Sequence, residues 1–161
     1  MAVLWKFALR DAAIVAATIL LWNNDAAQSS WGHGPGTATA VAAGLMTPVC
    51  GFVLHEWGHL LGALWARSQI AVPARPWALF LFRFDPSANS REQFLAMSCG
   101  GFAASAMVIA ALCALLPFRG LAPGIAWSLT GLGVLATGVF EIPPAWRALR
   151  RGRAPEPALR R

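Results

Sequence analysis

The chain has 161 residues, of which 57% are hydrophobic and only 12% are charged, with a mean hydropathy of +0.55. In soluble domains about a quarter of the residues are charged. This composition therefore excludes an ordinary soluble domain and indicates a membrane protein. The net charge of +6 raises the question of nucleic acid. All basic residues but Arg119, however, lie near the start of the chain, at 67–91 or after Trp146. That distribution is typical of membrane orientation and not of a DNA-binding face.

Four apolar segments approach or exceed the length of about 20 residues that a helix needs to cross a bilayer. They cover residues 4–22, 41–66, 93–117 and 122–146. We therefore predict an all-α polytopic membrane protein that forms a single membrane domain over 1–161, with four transmembrane helices. Glycines in the third and fourth segments, Gly100 and Gly101 and then Gly131 and Gly133, predict close helix approach.

The loops between these segments differ in charge. The loop at 23–39 contains no Lys or Arg, whereas the loop at 67–92 contains four arginines and the tail at 147–161 contains six. By the positive-inside rule, the arginine-containing loop and tail lie in the cytoplasm. Lys6 and Arg10 place the start of the chain on the same side. We expect an integral protein of a bacterial inner (plasma) membrane with both termini in the cytoplasm.

The inner loop at 67–92 has the composition of short strands. Aromatic and β-branched residues at 70–72 and 77–84, bounded by prolines, predict a small β-hairpin-like cytoplasmic insertion. Ser90 is followed three residues later by Gln93. This spacing predicts a capping box that opens the third helix.

The second segment contains His55-Glu56-Trp57-Gly58-His59, an HExxH motif. Residues four apart lie on one face of a helix, so both imidazoles can reach one metal, and Glu56 can address the metal-bound water. Ionisable groups inside a membrane helix are costly unless they are paired or bind a metal. The motif therefore predicts a zinc site with Glu56 as the catalytic base. The alternative is a set of buried polar residues that satisfy one another.

A catalytic zinc ion usually has three protein ligands and one open position for water, so a third ligand is needed. The candidates are Asp25, His33, Asp85, Glu92 and Glu141. About 16 residues separate Thr39 from His55, or about 24 Å of helix, which places His33 and Asp25 on the wrong side of the membrane. Glu141 lies at nearly the same depth as His59. Depth therefore favours Glu141 as the third ligand, while Asp85 and Glu92 on the inner side stay open as alternatives.

Three stretches of the chain resemble motifs of the site-2 protease family of intramembrane zinc metalloproteases. Residues 54–63, Leu-His-Glu-Trp-Gly-His-Leu-Leu-Gly-Ala, are similar to its zinc-binding helix. Residues 94–105 are similar to its AGPxxN helix, with Gly101 at the Gly and Phe102 in place of the Pro. Residues 140–146, Phe-Glu-Ile-Pro-Pro-Ala-Trp, are similar to its NxxPxxxLDG motif, although Gly138 stands at the Asn and Trp146 at the zinc-binding Asp. The resemblance covers about residues 41–150.

The resemblance implies a zinc metalloendopeptidase that hydrolyses a peptide bond of a membrane-associated protein near the cytoplasmic face. Zn²⁺ would be held by His55, His59 and Glu141, with Glu141 replacing the family's Asp from one turn earlier. Glu56 would take a proton from the polarised water and give it to the leaving amine. The implied partners are a membrane protein or peptide substrate, the lipid bilayer and a partner subunit. The alternative function is a non-proteolytic metal-binding membrane subunit or assembly factor with the same fold.

Overall fold

The computed structural model describes residues 3–30 and 36–151. Within these ranges the chain is mostly helical and carries one small antiparallel sheet, as the sequence predicts. In chain order the elements are α1 (Leu4–Ser30), α2 (Thr37–Trp65), β1 (Ile70–Ala71), β2 (Arg83–Phe84), α3 (Arg91–Leu115), α4 (Leu121–Phe140) and α5 (Ile142–Arg151).

Three helical stretches are long and apolar enough to cross a membrane: α2, α3, and the stretch Leu121–Arg150 formed by α4 and α5. In the described part of the chain, α1 is not among them, although it has 27 residues. Its apolar stretch lies between Arg10 and Asp11 on one side and the polar residues 23–25 on the other. That stretch is shorter than the roughly 20 residues a span needs. The prediction of four spans is thus confirmed for three of them.

Helix α2 lies at the centre of the bundle and contacts α1, α3 and α4. One buried cluster joins Phe7 of α1, Leu60 of α2 and Leu81 of the inner loop. A second cluster joins Ala40 and Ala43 near the start of α2 to α4, with the last apolar turn of α1 packed against it. Helix α1 therefore runs antiparallel to α2.

The inner loop forms a hairpin-like insertion with very short strands. Ile70 pairs with Phe84, and Ala71 pairs with Arg83. The predicted second strand over 77–84 is reduced to its last two residues. The first part of that stretch forms a turn, in which the Ala78 N–H donates to the Arg75 carbonyl at 3.1 Å. The Arg10 guanidinium donates to the carbonyls of Pro76 and Ala78, at 2.7 and 2.8 Å.

Helix α3 begins with the predicted capping box. The Gln93 N–H donates to Ser90 Oγ at 3.3 Å, and the Ser90 N–H donates to Gln93 Oε1 at 2.7 Å. The Gln93 side chain also donates to the carbonyls of Ala66 and Arg67, at 3.2 and 3.1 Å. The start of α3 is thereby fixed to the end of α2.

The fourth predicted segment is divided at Glu141. The Glu141 N–H closes α4 by donating to the Thr137 carbonyl at 2.9 Å, and the Glu141 carbonyl opens α5 by accepting from Ala145 at 3.2 Å. Pro143 and Pro144 lie in the first turn of α5, where backbone N–H groups have no partner within the helix. Because prolines are tolerated there but not farther along a helix, they fix the position of the break.

The basic residues gather at one end of the bundle, which we call the basic end. The contacts above join the start of α1, the end of α2, the inner loop and the start of α3. Helix α5 belongs to the same end, because Arg91 of α3 donates to its Ala148 carbonyl at 2.8 Å. Arg119, between α3 and α4, lies at the opposite end. The described basic residues of the basic end are Lys6, Arg10, Arg67, Arg75, Arg83, Arg91, Arg147, Arg150 and Arg151.

Candidate metal centre

The HExxH residues lie on α2, about two turns before its end at the basic end. The side chains of His55 and Glu56 are 7% and 8% exposed, so both are taken out of solvent. The helical repeat places His55 and His59 on one face, and their Nε2 atoms are 2.9 Å apart. Two ring nitrogens thus point to a single position beside α2.

Glu141 reaches the same position from the break between α4 and α5. Its Oε1 lies 3.1 Å from His55 Nε2, and its Oε2 lies 3.3 Å from His59 Nε2. One ligand atom from each residue can be chosen so that all three lie within 4.8 Å of one another. In the described ranges no other group of three His, Cys, Asp or Glu side chains meets this condition. His55, His59 and Glu141 therefore form a group that could bind a metal ion.

The other nitrogen of each imidazole faces helix α3. His55 Nδ1 lies 3.1 Å from the Gly101 carbonyl and 2.8 Å from Ser105 Oγ, and His59 Nδ1 lies 3.0 Å from the Met97 carbonyl. A carbonyl oxygen only accepts, so each Nδ1 carries the proton, and each Nε2 of a neutral ring has a free lone pair. Metal-binding histidines are commonly oriented in this way.

The fit of a metal follows from this arrangement. When both imidazoles are neutral, two lone-pair nitrogens and a carboxylate converge with no hydrogen-bond donor between them, and acceptors at such distances repel one another unless a cation lies among them. Glu141 Oε2 is buried and accepts no hydrogen bond from the described residues. Two imidazoles and a carboxylate are a ligand set found in catalytic zinc sites. The residues present therefore fit Zn²⁺.

Helices α2 and α3 approach closely at the centre. A Cβ placed on Gly58 would lie 2.5 Å from the Gly100 carbonyl oxygen and 2.6 Å from Ala104 Cβ. A Cβ on Gly101 would overlap the His59 ring. Close approach was predicted here and is confirmed at Gly100 and Gly101. It is wrong at Gly131 and Gly133, where no atom lies within 4 Å of a built Cβ.

Glu56 faces a cavity of about 270 Å³ at the basic end. The backbone N–H of Leu81, in the inner loop, donates to its carboxyl group. The cavity joins Glu56 to two of the three side chains of the candidate centre and is otherwise largely aromatic. Its lining comprises Glu56, His59, Phe80, Phe82, Phe84, Phe94, Met97, Ser98, Phe140, Glu141 and Pro144.

A second cavity of about 290 Å³ reaches the centre from within the bundle. His55 and Ser105 line it, and α4 contributes Thr130 and Thr137 to its otherwise apolar wall. The candidate centre thus lies between one cavity that is lined partly by the inner loop and a second that is lined mainly by α2, α3 and α4.

Hydrogen bonds outside the candidate centre hold two parts of the protein beside Glu56, namely Trp57 and the inner loop. Asp11 of α1 is 3% exposed and accepts from Trp57 Nε1 at 2.8 Å and from Arg10 Nε at 2.6 Å. The same Arg10 holds the carbonyls of Pro76 and Ala78 in the inner loop, a few residues before Leu81. Helix α1 therefore connects the residue after Glu56 with the loop that contacts its carboxyl group.

The other candidate ligands lie elsewhere. The Asp85 carboxylate accepts from the N–H and hydroxyl of Ser87, at 2.9 and 2.6 Å, in an exposed turn. Glu92 is exposed beside Arg91 in the first turn of α3. Asp25 is near the far end of α1, and His33 lies outside the described residues.

Sequence reasoning missed Ser105, Asp11 and Arg10 as parts of the site. Spacing gives a signal for Ser105, since it lies one helical turn after Gly101. Asp11 offers the signal of an acidic residue at the edge of an apolar run.

Comparison with known proteins gives no relative: no family description matches the chain, and no curated protein or solved structure resembles it beyond chance. The function therefore has to be argued from the site.

Proposed function

We propose that the chain is a membrane-embedded zinc metalloprotease similar to the site-2 proteases, which cleaves membrane-associated proteins near the cytoplasmic face. The convergence of His55, His59 and Glu141 supports this proposal most directly, because it joins an HExxH helix to a third ligand from a distant part of the chain. Glu56, on the same helix, lines the cavity beside them.

The surface of the bundle supports a position within the lipid bilayer. Leu132, Leu135 and Val139 of α4 are all at least 60% exposed and would be unfavourable in water. In the proposed arrangement the 27-residue α1 completes a four-pass bundle, and the hydrogen bonds that Asp11 accepts from Arg10 and Trp57 let this carboxylate lie within the bilayer. The basic end faces the cytoplasm, as the positive-inside rule requires. The centre then lies near the cytoplasmic surface, about two turns before the end of α2.

The protein's own residues would transfer the protons and hold the reacting groups in position. A bound Zn²⁺ would supply Lewis-acid activation of water and of the peptide carbonyl. Glu56 takes a proton from the attacking water and returns it to the leaving amine, a role that requires a carboxylate within reach of both groups. The Leu81 N–H donates to this carboxylate and fixes its orientation. Carbonyls of α3 hold both imidazoles by Nδ1.

The cavity at the basic end provides a place for the substrate backbone and for water. The aromatic side chains of Phe80, Phe82 and Phe84 from the inner loop form one wall, and Pro144 at the break of the fourth segment forms part of another. Because Pro143 and Pro144 lack the N–H groups that a continuous helix would donate to the carbonyls of Val139 and Phe140, these carbonyls can accept hydrogen bonds from an extended peptide. Cleavage is therefore expected in a substrate segment that is unwound near the membrane surface.

A test of the activity does not require an identified substrate. Membranes from cells that produce the parent chain or Glu56→Gln are compared for new protein N-termini by mass spectrometry. We expect new termini close to membrane segments with the parent chain and none with Glu56→Gln. Exposed Glu92→Gln is the matched control and should behave like the parent.

Zinc content and the new N-termini together distinguish the two functions. If the parent binds zinc but produces no termini beyond those of Glu56→Gln, the protease proposal fails, and a non-proteolytic metal-binding subunit or assembly factor replaces it. If Glu56→Gln cleaves as fast as the parent, Glu56 is not the base.

A further inference from the structure

In the membrane arrangement proposed above, helix α5 leaves the hydrocarbon core and enters the headgroup region. Twenty residues of α4 cover about 30 Å, which is the thickness of the hydrocarbon core. Helix α5 follows directly after Glu141, at the basic end. Its ten residues therefore lie at the level of the lipid headgroups.

The faces of α5 differ in character. Ala145 and Ala148 are buried, and the Arg91 side chain of α3 donates to the carbonyls of Ala148 and Leu149, at 2.8 and 3.1 Å. A second face is apolar but exposed, since three side chains spaced four and three residues apart are each 52% accessible. These are Ile142, Trp146 and Leu149. One side of α5 thus packs on the protein, and the adjacent apolar stripe is exposed.

Two arginines lie beyond this stripe, away from the buried face. The Arg150 guanidinium lies 4.5 Å from the Trp146 ring centroid, and Arg147 Nε donates to the Pro143 carbonyl at 3.3 Å. Neither arginine forms an ion pair with a carboxylate of residues 3–30 or 36–151. As far as the described residues show, both positive charges are available to an external anion beside an apolar stripe, the arrangement of helices that bind the membrane interface.

We propose that α5 binds anionic phospholipids, with the arginines on the phosphate groups and the stripe of Ile142, Trp146 and Leu149 against the acyl chains. The charge complementarity and the depth of α5 both favour lipid over an acidic protein. The proposal rests on the membrane placement proposed above, but not on metal binding or proteolysis. An arginine near an anionic membrane surface contributes about a fivefold gain in binding.

The test uses the full chain in nanodiscs of phosphatidylcholine with increasing fractions of phosphatidylglycerol. Hydrogen exchange of the α5 amides is followed by mass spectrometry. For the parent we expect protection to rise with phosphatidylglycerol and to fall again in high salt. In Arg147→Gln/Arg150→Gln the fraction needed for half-maximal protection should rise more than fivefold.

The matched control is Arg75→Gln/Arg83→Gln, which removes the same charge from exposed positions in the inner loop. It should respond like the parent, and Arg147→Lys/Arg150→Lys should keep most of the response. Unchanged exchange in the other helices shows that each variant is folded. Equal loss in the loop control, an unchanged midpoint in the α5 variant, or a parent insensitive to phosphatidylglycerol would overturn the proposal.

Discussion

At the scale of single residues, the centre depends on side chains that never contact the metal position. Ser105 and the Gly101 carbonyl both lie at His55 Nδ1 and so direct Nε2 toward Glu141. Such outer partners of metal-binding histidines typically change metal affinity 10- to 100-fold when they are removed.

Replacement of Ser105 by Ala should therefore weaken zinc binding by about tenfold, at the low end of that range, because the Gly101 carbonyl still holds the ring. The affinity is measured by competition with a zinc chelator on the purified protein. Ser128→Ala, on the exposed side of α4, is the control and should leave the affinity unchanged. An equal affinity for Ser105→Ala and the parent would show that the hydroxyl does not orient His55.

The contribution of sequence reasoning is clearest at this scale. His55, Glu56 and His59 follow from one helical repeat, which is local information. Glu141 was predicted from its depth in the membrane, which follows from counting residues along each helix. The positions of Ser105 and Gly101 relative to the histidines depend on how closely α2 and α3 approach. That distance cannot be predicted from the spacing of residues within one segment.

At the scale of elements, α1 holds the inner loop and the HExxH helix together. The Asp11 carboxylate has two donors, Arg10 and Trp57, and is almost fully buried. A buried carboxylate is costly unless its hydrogen bonds are made. The start of α1 was readable from the sequence, but its end was not, because α1 runs to Ser30 and so includes residues 23–30 of the predicted loop. The partners of Asp11 depend on the antiparallel packing of α1 on α2.

Trp57→Phe removes one donor to Asp11 while keeping most of the aromatic ring. The loss of a partner at a buried charged group should lower the free energy of unfolding by about 1–3 kcal/mol. Thermal unfolding in detergent measures the change. Trp77→Phe is the matched control, since Trp77 is 74% exposed, and should unfold like the parent. Equal stability of the two variants would contradict a structural role for the Asp11 network.

The break at Glu141 and the short strands show the limits of element prediction. Pro143 and Pro144 fix the break because they cannot continue a helix, and the sequence shows this directly. The length of β2 could not be predicted, because the loop before it makes hydrogen bonds with a distant helix. Arg10 of α1 donates to the carbonyls of Pro76 and Ala78.

At the scale of the whole molecule, the asymmetric distribution of charge corresponds to a physical end of the bundle. The inner loop, the start of α3 and helix α5 meet there, whereas Arg119 lies at the other end. In the proposed orientation the basic end faces the cytoplasm.

The orientation predicts opposite labelling of two single cysteines. In a chain whose three native cysteines are replaced by Ala, Arg119→Cys should react with an impermeant maleimide on intact cells. Ser87→Cys, in the inner loop, should react only after permeabilisation. Labelling of both positions from one side, or the reversed pattern, would contradict the four-pass orientation.

The convergence of His55, His59 and Glu141 into one zinc site is tested most directly by the zinc content of the purified chain. We expect about one zinc ion per chain in the parent and in Asp85→Ala, with loss of zinc from Glu141→Ala. Glu141→Gln, which keeps the shape of the side chain, should also lose zinc and controls for misfolding. Zinc retained at the parent level in Glu141→Ala, or lost from Asp85→Ala, would show that the third ligand lies elsewhere.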